Sequence, residues 1–342
     1  MTTTEFDHVK IGIIGAGSWG LSLARKLARK QHDVTVWVFE EAEYNELAQT
    51  HHSQDFLPEI TLPDSIHFSM DLGDFVDYQY IVNAVPSHAV RTIFGQFAQL
   101  GGQPEIAVNV AKGVENDTLK RMSEILQEEL ASLEKFEVVT LSGPTHAEEV
   151  SRDIPTAIVA ASDSQNAAEV VQSIFMDDTF RVYTNHDIIG TELGGSLKNV
   201  IAIAAGIIDG IGFGDNSKAA LMTRGITEIT RLGVAAGAKE ETFSGLSGIG
   251  DLIVTCLSQH SRNRYVGEQI GLGKSLDEIL SQMKMVAEGV KTTKSVHQMS
   301  QKYGVEMPIS EQIYQVLFND KDPQKVVRDL MTRDPVHERH SM

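Results

Sequence analysis

The chain has 342 residues, 42% of them hydrophobic, and its 29 Lys and Arg against 47 Asp and Glu give a formal net charge of -18. At roughly 100 to 200 residues per domain, this length predicts two domains, each large enough to bury a core. The negative field repels phosphate backbones and anionic lipid, which argues against nucleic acid and membrane as partners. MTTTEFDHVK holds no apolar leader core and no run of about 18 uncharged apolar residues occurs, so the expected location is the cytoplasm.

From residue 9 to about 142, short β-branched or apolar runs alternate with amphipathic stretches, the pattern of a parallel sheet covered by helices. The expected strands are residues 9–14, 34–39, 80–85, 106–110 and 138–141. Between the first two, SWGLSLARKLARKQ repeats Leu21, Ala24, Leu27 and Ala28 at helical spacing and reads as the first crossover helix. Gly15-Ala16-Gly17-Ser18-Trp19-Gly20 fits GxGxxG at this strand-to-helix turn. There Gly15 permits the turn, Gly17 admits a pyrophosphate and Gly20 lets helix and strand pack closely. Glu40, at the end of the second strand, stands where an acidic residue accepts hydrogen bonds from the adenosine ribose. Residues 38–44 hold no Arg for a 2′-phosphate, which favours NAD but leaves NADP open; Glu40 and Glu41 also read as the start of a solvated helix.

Lys112 follows the 106–110 strand, at the carboxyl edge where open α/β sheets bind ligands, and Gly143-Pro144-Thr145-His146-Ala147 follows the next strand at the same edge. Thr145 with Glu148 matches a capping box, and a capped helix end facing a cleft would itself attract an anion. After PTAIVAAS and a strand near 180–183 the texture changes. Residues 190–210 and 216–237 read as long helices, apolar enough around their circumference to be buried. Shorter helices follow, with Ser275 and Glu278 as a capping box and Asp322-Pro323 as a helix start. The expected architecture is an α/β Rossmann-type doubly wound domain over residues 1–189, an all-α domain over 190–335 and a disordered tail over 336–342.

Several polar residues of the helical part stand out against apolar surroundings. Lys198 sits between Leu197 and Val200 on a helix that reads as buried, where desolvation lowers an amine's pKa and readies it for acid/base work. Asp251 ends SGLSGIGD and is by sequence alone a good helix N-cap. Ser261-Arg262-Asn263 offers a hydroxyl, a guanidinium fork and an amide, a compact phosphate clamp; with Arg264 it reads equally as a basic surface patch. Cys256, the one cysteine, reads as a core thiol, and no His or Cys pair has metal spacing, so no metal is expected.

Eight segments in order, GAGSWG, NAVPSHAVR, AKGVE, LSGPTHAEEV, ELGGSLKNVIAIAAGI, SGIGDLIVTC, SRNR and VAEGV, resemble the bacterial-type NAD(P)-dependent glycerol-3-phosphate dehydrogenases. The resemblance implies hydride transfer between NAD(P)(H) and a triose phosphate, interconverting sn-glycerol 3-phosphate and dihydroxyacetone phosphate to supply the phospholipid backbone. It implies Lys198 as the acid/base, with Asp251 contacting the substrate hydroxyls and orienting that lysine. Substrate would be held by Lys112, Gly143, Thr145, Lys198, Asp251, Ser261, Arg262 and Asn263. The cofactor would be held by Gly15, Gly17, Ser18, Trp19, Gly20, Phe39, Glu40, Lys112, Ala147, Arg262, Val286 and Glu288. His146 gets no role, because the family does not require histidine there; Thr145 keeps the hydroxyl of the family's more common serine. The resemblance also favours a homodimer. Two other readings fit the same fingerprint: a dehydrogenase of carboxylate-bearing hydroxy acids, and a nucleotide sensor without catalysis.

Overall fold

The computed structural model describes residues 8–131, 136–335 and 337–338. The chain opens with β1 (Lys10–Ile14), α1 (Ser18–Arg29), β2 (Asp33–Trp37) and α2 (Glu41–Thr50). A small antiparallel pair, β3 (His52–Ser53) and β4 (Leu57–Thr61), precedes β5 (Ile66–Ser69). Then come β6 (Tyr80–Asn83), α3 (Val90–Gln99), β7 (Ile106–Asn109), α4 (Met122–Glu129), β8 (Glu137–Ser142), α5 (Ala147–Val150), β9 (Thr156–Ala161), α6 (Gln165–Phe175) and β10 (Phe180–Asn185). Every regular element described after β10 is helical: α7 (Ile188–Ile211), α8 (Asp215–Ala235), α9 (Asp251–Leu257), α10 (Arg262–Gly271), α11 (Leu276–Ser281), α12 (Glu288–Tyr303), α13 (Pro308–Phe318) and α14 (Pro323–Met331).

Eight strands form one sheet in the order β10-β9-β8-β7-β6-β1-β2-β5. The chain first builds outward from β1 through β2 to β5, then returns to the other side of β1 with β6, so the strand order reverses at β1. Ligands of such folds bind at this switch point, outside the carboxyl ends of the strands. The apolar runs make the strands buried on both faces, as in β1, where Ile11, Ile13 and Ile14 are fully covered. This is the doubly wound Rossmann-type domain followed by the all-helical domain.

The sheet is mixed rather than wholly parallel: β9 runs antiparallel to β8, and β10 parallel to β9. Parallel neighbours need a crossover that returns the chain to the starting edge. Between β8 and β9 the only helix is the four-residue α5, which packs on α1, so the chain re-enters the sheet from the edge it has just left. The strands β3 and β4, which form a separate pair, and β5, the edge strand of the sheet, were not revealed by alternation; all three are short and carry polar residues.

In the second domain α7 is the axis. By length and composition alone it could cross a membrane, but 83% of its most apolar window is buried inside this fold. It crosses α10 in close contact, since a Cβ on Gly206 would overlap the Arg264 carbonyl and one on Gly267 the Ile203 carbonyl. By contrast, α8 is not buried all round. It covers Leu221, Ile229 and Leu232 and leaves Ala219, Ala220 and Thr223 exposed, because that face is small and polar. The Ser275–Glu278 capping box and the Asp322 cap both form. Of the aperiodic tail expected over 336–342, all but residues 337 and 338 lies outside the described residues.

Candidate active site

The turn after β1 is shaped by its glycines. Gly15 has φ +120°, a conformation L side chains rarely adopt, and a Cβ on Gly20 would overlap the Gly15 carbonyl oxygen. Gly20→Ala is therefore expected to cost about 1–3 kcal/mol, read as a lower denaturation midpoint at unchanged slope. Gly17 differs: a Cβ there would meet nothing within 4 Å, so the glycine keeps clear a space that a ligand's phosphates can enter. Gly17 is also the N-cap of α1, with no side chain capping the free amides and no acidic residue in the first turn. Uncapped amides, an open backbone approach and the positive end of the helix dipole fit the pyrophosphate of a dinucleotide.

A cleft of about 480 Å³ runs from this turn to the helical domain. At its dinucleotide end it is lined by Gly15 to Gly20, with Phe39 and Glu40 just beyond the end of β2; Phe39 is 68% exposed. Lys112, Thr145 and Ala147 come from the carboxyl edge of the sheet, and Lys198, Asp251, Ser261, Arg262, Asn263, Val286 and Glu288 come from the helical side. Gly143 alone among the expected site residues does not line it. It is buried, and its carbonyl accepts from Lys112 Nζ at 3.1 Å and from Thr145 Oγ1 at 3.2 Å.

Asp251 is the hub. One carboxylate oxygen lies 2.6 Å from Lys112 Nζ and the other 3.0 Å from Lys198 Nζ. Thr255, one turn further along α9, donates to the Asp251 carbonyl at 2.7 Å and accepts from Lys198 Nζ at 2.6 Å. The N-cap expected of Asp251 is not what forms: it begins the helix after Gly250, and its carboxylate turns to the two ammoniums instead. The glycine-rich run brings it there, since Gly248 packs on the Phe243 backbone and Gly194 of α7 on the Ser247 carbonyl, distances that admit no side chain.

Asp251 and Lys198 are 1% and 6% exposed. Burial pulls the Lys198 amine down to about 8, against the opposing pull of Asp251, with the Lys112 charge adding to the drop. Burial pushes the Asp251 carboxyl up, but the two ammoniums outweigh it and hold the group below its usual range. Two of the three donor directions of a protonated Lys198 are taken by Asp251 and Thr255, which leaves one for a ligand in the cleft.

The Ser261–Asn263 run is only partly free for a ligand. Ser261 caps α10 by accepting from the Arg264 amide at 3.2 Å, and Asn263 spends its amide on Asn199 and on the Gly289 backbone, tying α7, α10 and α12 together. Arg262, by contrast, projects from the first turn of α10 into the cleft without a hydrogen bond or ion pair to any described residue. Arg264 faces away to Asp209, so the two arginines do not form one basic patch. Glu288 accepts from Ser87 N at 2.8 Å and Ser87 Oγ at 2.6 Å, which joins the start of α12 to the loop after β6. The Thr145–Glu148 capping box does not form, because Thr145 bonds to Gly143 and α5 begins after His146. Cys256 is a buried core thiol pushed up to about 12.

Sequence reasoning missed Thr255 and Asn199 as cleft residues and set His146 aside, although it too lines the cleft. For Thr255 a signal existed: it stands four residues after Asp251, on the same face of any helix starting there.

A dinucleotide turn and a desolvated lysine–carboxylate pair on one cleft define a nicotinamide-dependent oxidoreductase. Two family profiles match the chain: the NAD-dependent glycerol-3-phosphate dehydrogenase N-terminus over residues 10–168, and the C-terminus of the same family over residues 187–328. A glycerol-3-phosphate dehydrogenase (NAD(P)+) of Thermoanaerobacter sp. is 52% identical over 335 residues, covering 98% of this chain and 100% of the relative. One of Chlorobium phaeobacteroides is 52% identical over 331 residues, covering 96% and 99%. The crystal structure of a glycerol-3-phosphate dehydrogenase from Coxiella burnetii superposes with a TM-score of 0.91 at 36% identity, over 95% of this chain and 99% of that one. The chain belongs to the NAD-dependent glycerol-3-phosphate dehydrogenase family.

Proposed function

We propose that this enzyme interconverts sn-glycerol 3-phosphate and dihydroxyacetone phosphate with NAD(P)(H), and that the product of reduction supplies the phospholipid backbone. The observation that carries the reading is Lys198, buried, poised near 8 and bonded to Asp251 in the same cleft that the dinucleotide turn lines.

The nicotinamide, when bound, supplies or accepts the hydride at C2 of the substrate. Lys198 donates a proton to the C2 oxygen as the ketone is reduced and takes one from the C2 hydroxyl in the reverse direction. Asp251 holds the Lys198 ammonium in place and fixes Lys112 beside it, so that two cations face the substrate oxygens. Arg262, at the N-terminus of α10 and without a protein partner, meets the phosphate together with the Ser261 hydroxyl, whose proton is still free to donate. Glu288 and Val286 would hold the nicotinamide ribose of a bound cofactor, and Glu40 its adenosine ribose.

Glu40 and Glu43 flank the adenosine end of the cleft and would repel a 2′-phosphate. The expected preference is therefore for NAD over NADP. The test is the oxidation of sn-glycerol 3-phosphate with NAD+ or NADP+, followed at the reduced-nicotinamide band. The reading predicts turnover of the phosphate ester, faster with NAD+, and none of glycerol or of a 2-hydroxy acid. Turnover of the hydroxy acid alone would favour a carboxylate-directed dehydrogenase, and cofactor binding without any turnover would favour a sensor.

A further inference from the structure

Glu192 lies on α7, on the same helix as Lys198, and is 5% exposed. It does not line the cleft. Its carboxylate turns to the sheet domain and accepts hydrogen bonds from Arg121 Nη1 at 2.7 Å, the Ser123 amide at 2.9 Å, the Ser123 hydroxyl and Asn109 Nδ2 at 3.2 Å. A carboxylate is costly to bury unless it is paired and hydrogen-bonded, and here Arg121 supplies the ion pair.

Asn109 carries this contact onward to the cleft. It is fully buried at the end of β7. Its Oδ1 accepts from the Ala111 amide at 3.1 Å and from Asn83 Nδ2 at 3.0 Å, and its Nδ2 donates to the Ala111 carbonyl at 3.2 Å as well as to Glu192. Both backbone polar groups of Ala111 are thus pinned, and the next residue is Lys112. Ala111 and Lys112 line the cleft, as do Ala84 and Val85, which follow Asn83.

We propose that Glu192 is a positioning residue: acting through Asn109, it holds the Lys112 segment in register with α7, so that Lys112 and Lys198 meet the two oxygens of one Asp251 carboxylate. The assignment rests on the reaction proposed above. The rival role is purely structural, a carboxylate that only satisfies the first turn of α4, where Ser123 lies.

The experiment compares the wild type, Glu192→Gln, Asn109→Ala and the double variant in kcat/KM and in the pH profile of sn-glycerol 3-phosphate oxidation. Asn109→Ala leaves the Glu192–Arg121 ion pair in place, so it carries the test even where Glu192→Gln fails to fold. Misplacing a reacting group by about 1 Å can cost about 10²-fold, so each single variant should lose on the order of 10- to 100-fold in kcat/KM. The double variant should lose no more than the worse single one, because both substitutions cut the same linkage. Burial and the Lys112 charge both lower the Lys198 amine, against the pull of Asp251. With Lys112 withdrawn from the cluster, the rising limb of the profile should move to higher pH in both single variants. A structural role would lower stability without moving that limb. An unmoved limb in Asn109→Ala, or losses that multiply in the double variant, would overturn the assignment. A wild-type enzyme that does not oxidise sn-glycerol 3-phosphate would reject the reaction, and the assignment with it.

Discussion

Lys198→Ala should lower kcat for reduction of dihydroxyacetone phosphate by roughly 10²- to 10⁴-fold, the usual loss on removing a positioned acid/base. NADH affinity should barely change, because Lys198 lies on α7 and is no part of the glycine turn at α1. The pH profile of the wild type carries the same claim. With the amine lowered to about 8, ketone reduction needs the protonated form and should decline as pH rises through about 8. Oxidation of glycerol 3-phosphate needs the free amine and should rise through the same value. Near-normal turnover in Lys198→Ala would remove the residue from the chemistry.

Asp251→Asn is expected to be nearly as damaging, and in two ways. The carboxylate is buried between Lys112 and Lys198, and removing one member of a buried charge cluster typically costs about 3–5 kcal/mol of stability. A clear drop in melting temperature should follow. Its attraction also raises the Lys198 pKa against burial, so in the variant the amine should fall further below about 8. The limb of the oxidation profile should then move to lower pH, and reduction should lose its proton donor at neutral pH, with kcat/KM down on the order of 100-fold or more. A limb that stays in place while activity falls would mean that Asp251 serves only the fold.

Both residues could be singled out in the sequence, and the resemblance implied that the aspartate orients the lysine, but the residues alone did not show how the two meet. Lys198 was legible because a lysine in the apolar run LKNVIAIAAG contradicts its surroundings. Asp251 was legible as a helix start, and the local pattern suggested a cap; only the packing of the glycine-rich run against α7 turns its carboxylate to the lysines. The same limit applies to Ser261 and Asn263, whose chemistry suits phosphate, although one caps α10 and the other joins three helices.

The fold was legible where burial is two-sided and continuous, as in β1 and β6, and at the glycine turn, where backbone geometry dictates residue type. It was not legible at β5, because IHFS has no run long enough to mark a strand. Nor was the reversal at β9 legible: TAIVAA is equally apolar in either direction, and orientation is set by how short the connection from β8 is. The outer face of α8 was overestimated because Ala and Gly read as apolar while needing little burial.

The central claim is tested most directly by mixing the purified enzyme and NADH with dihydroxyacetone phosphate, or with phosphate-free dihydroxyacetone, and following the reduced-nicotinamide absorbance. The account predicts a rapid fall with the phosphate ester and almost none with the free triose, because the proposed role of the cleft cations Arg262 and Lys112 is to hold an anionic substrate. No fall with the phosphate ester, or an equal fall with both, would contradict it.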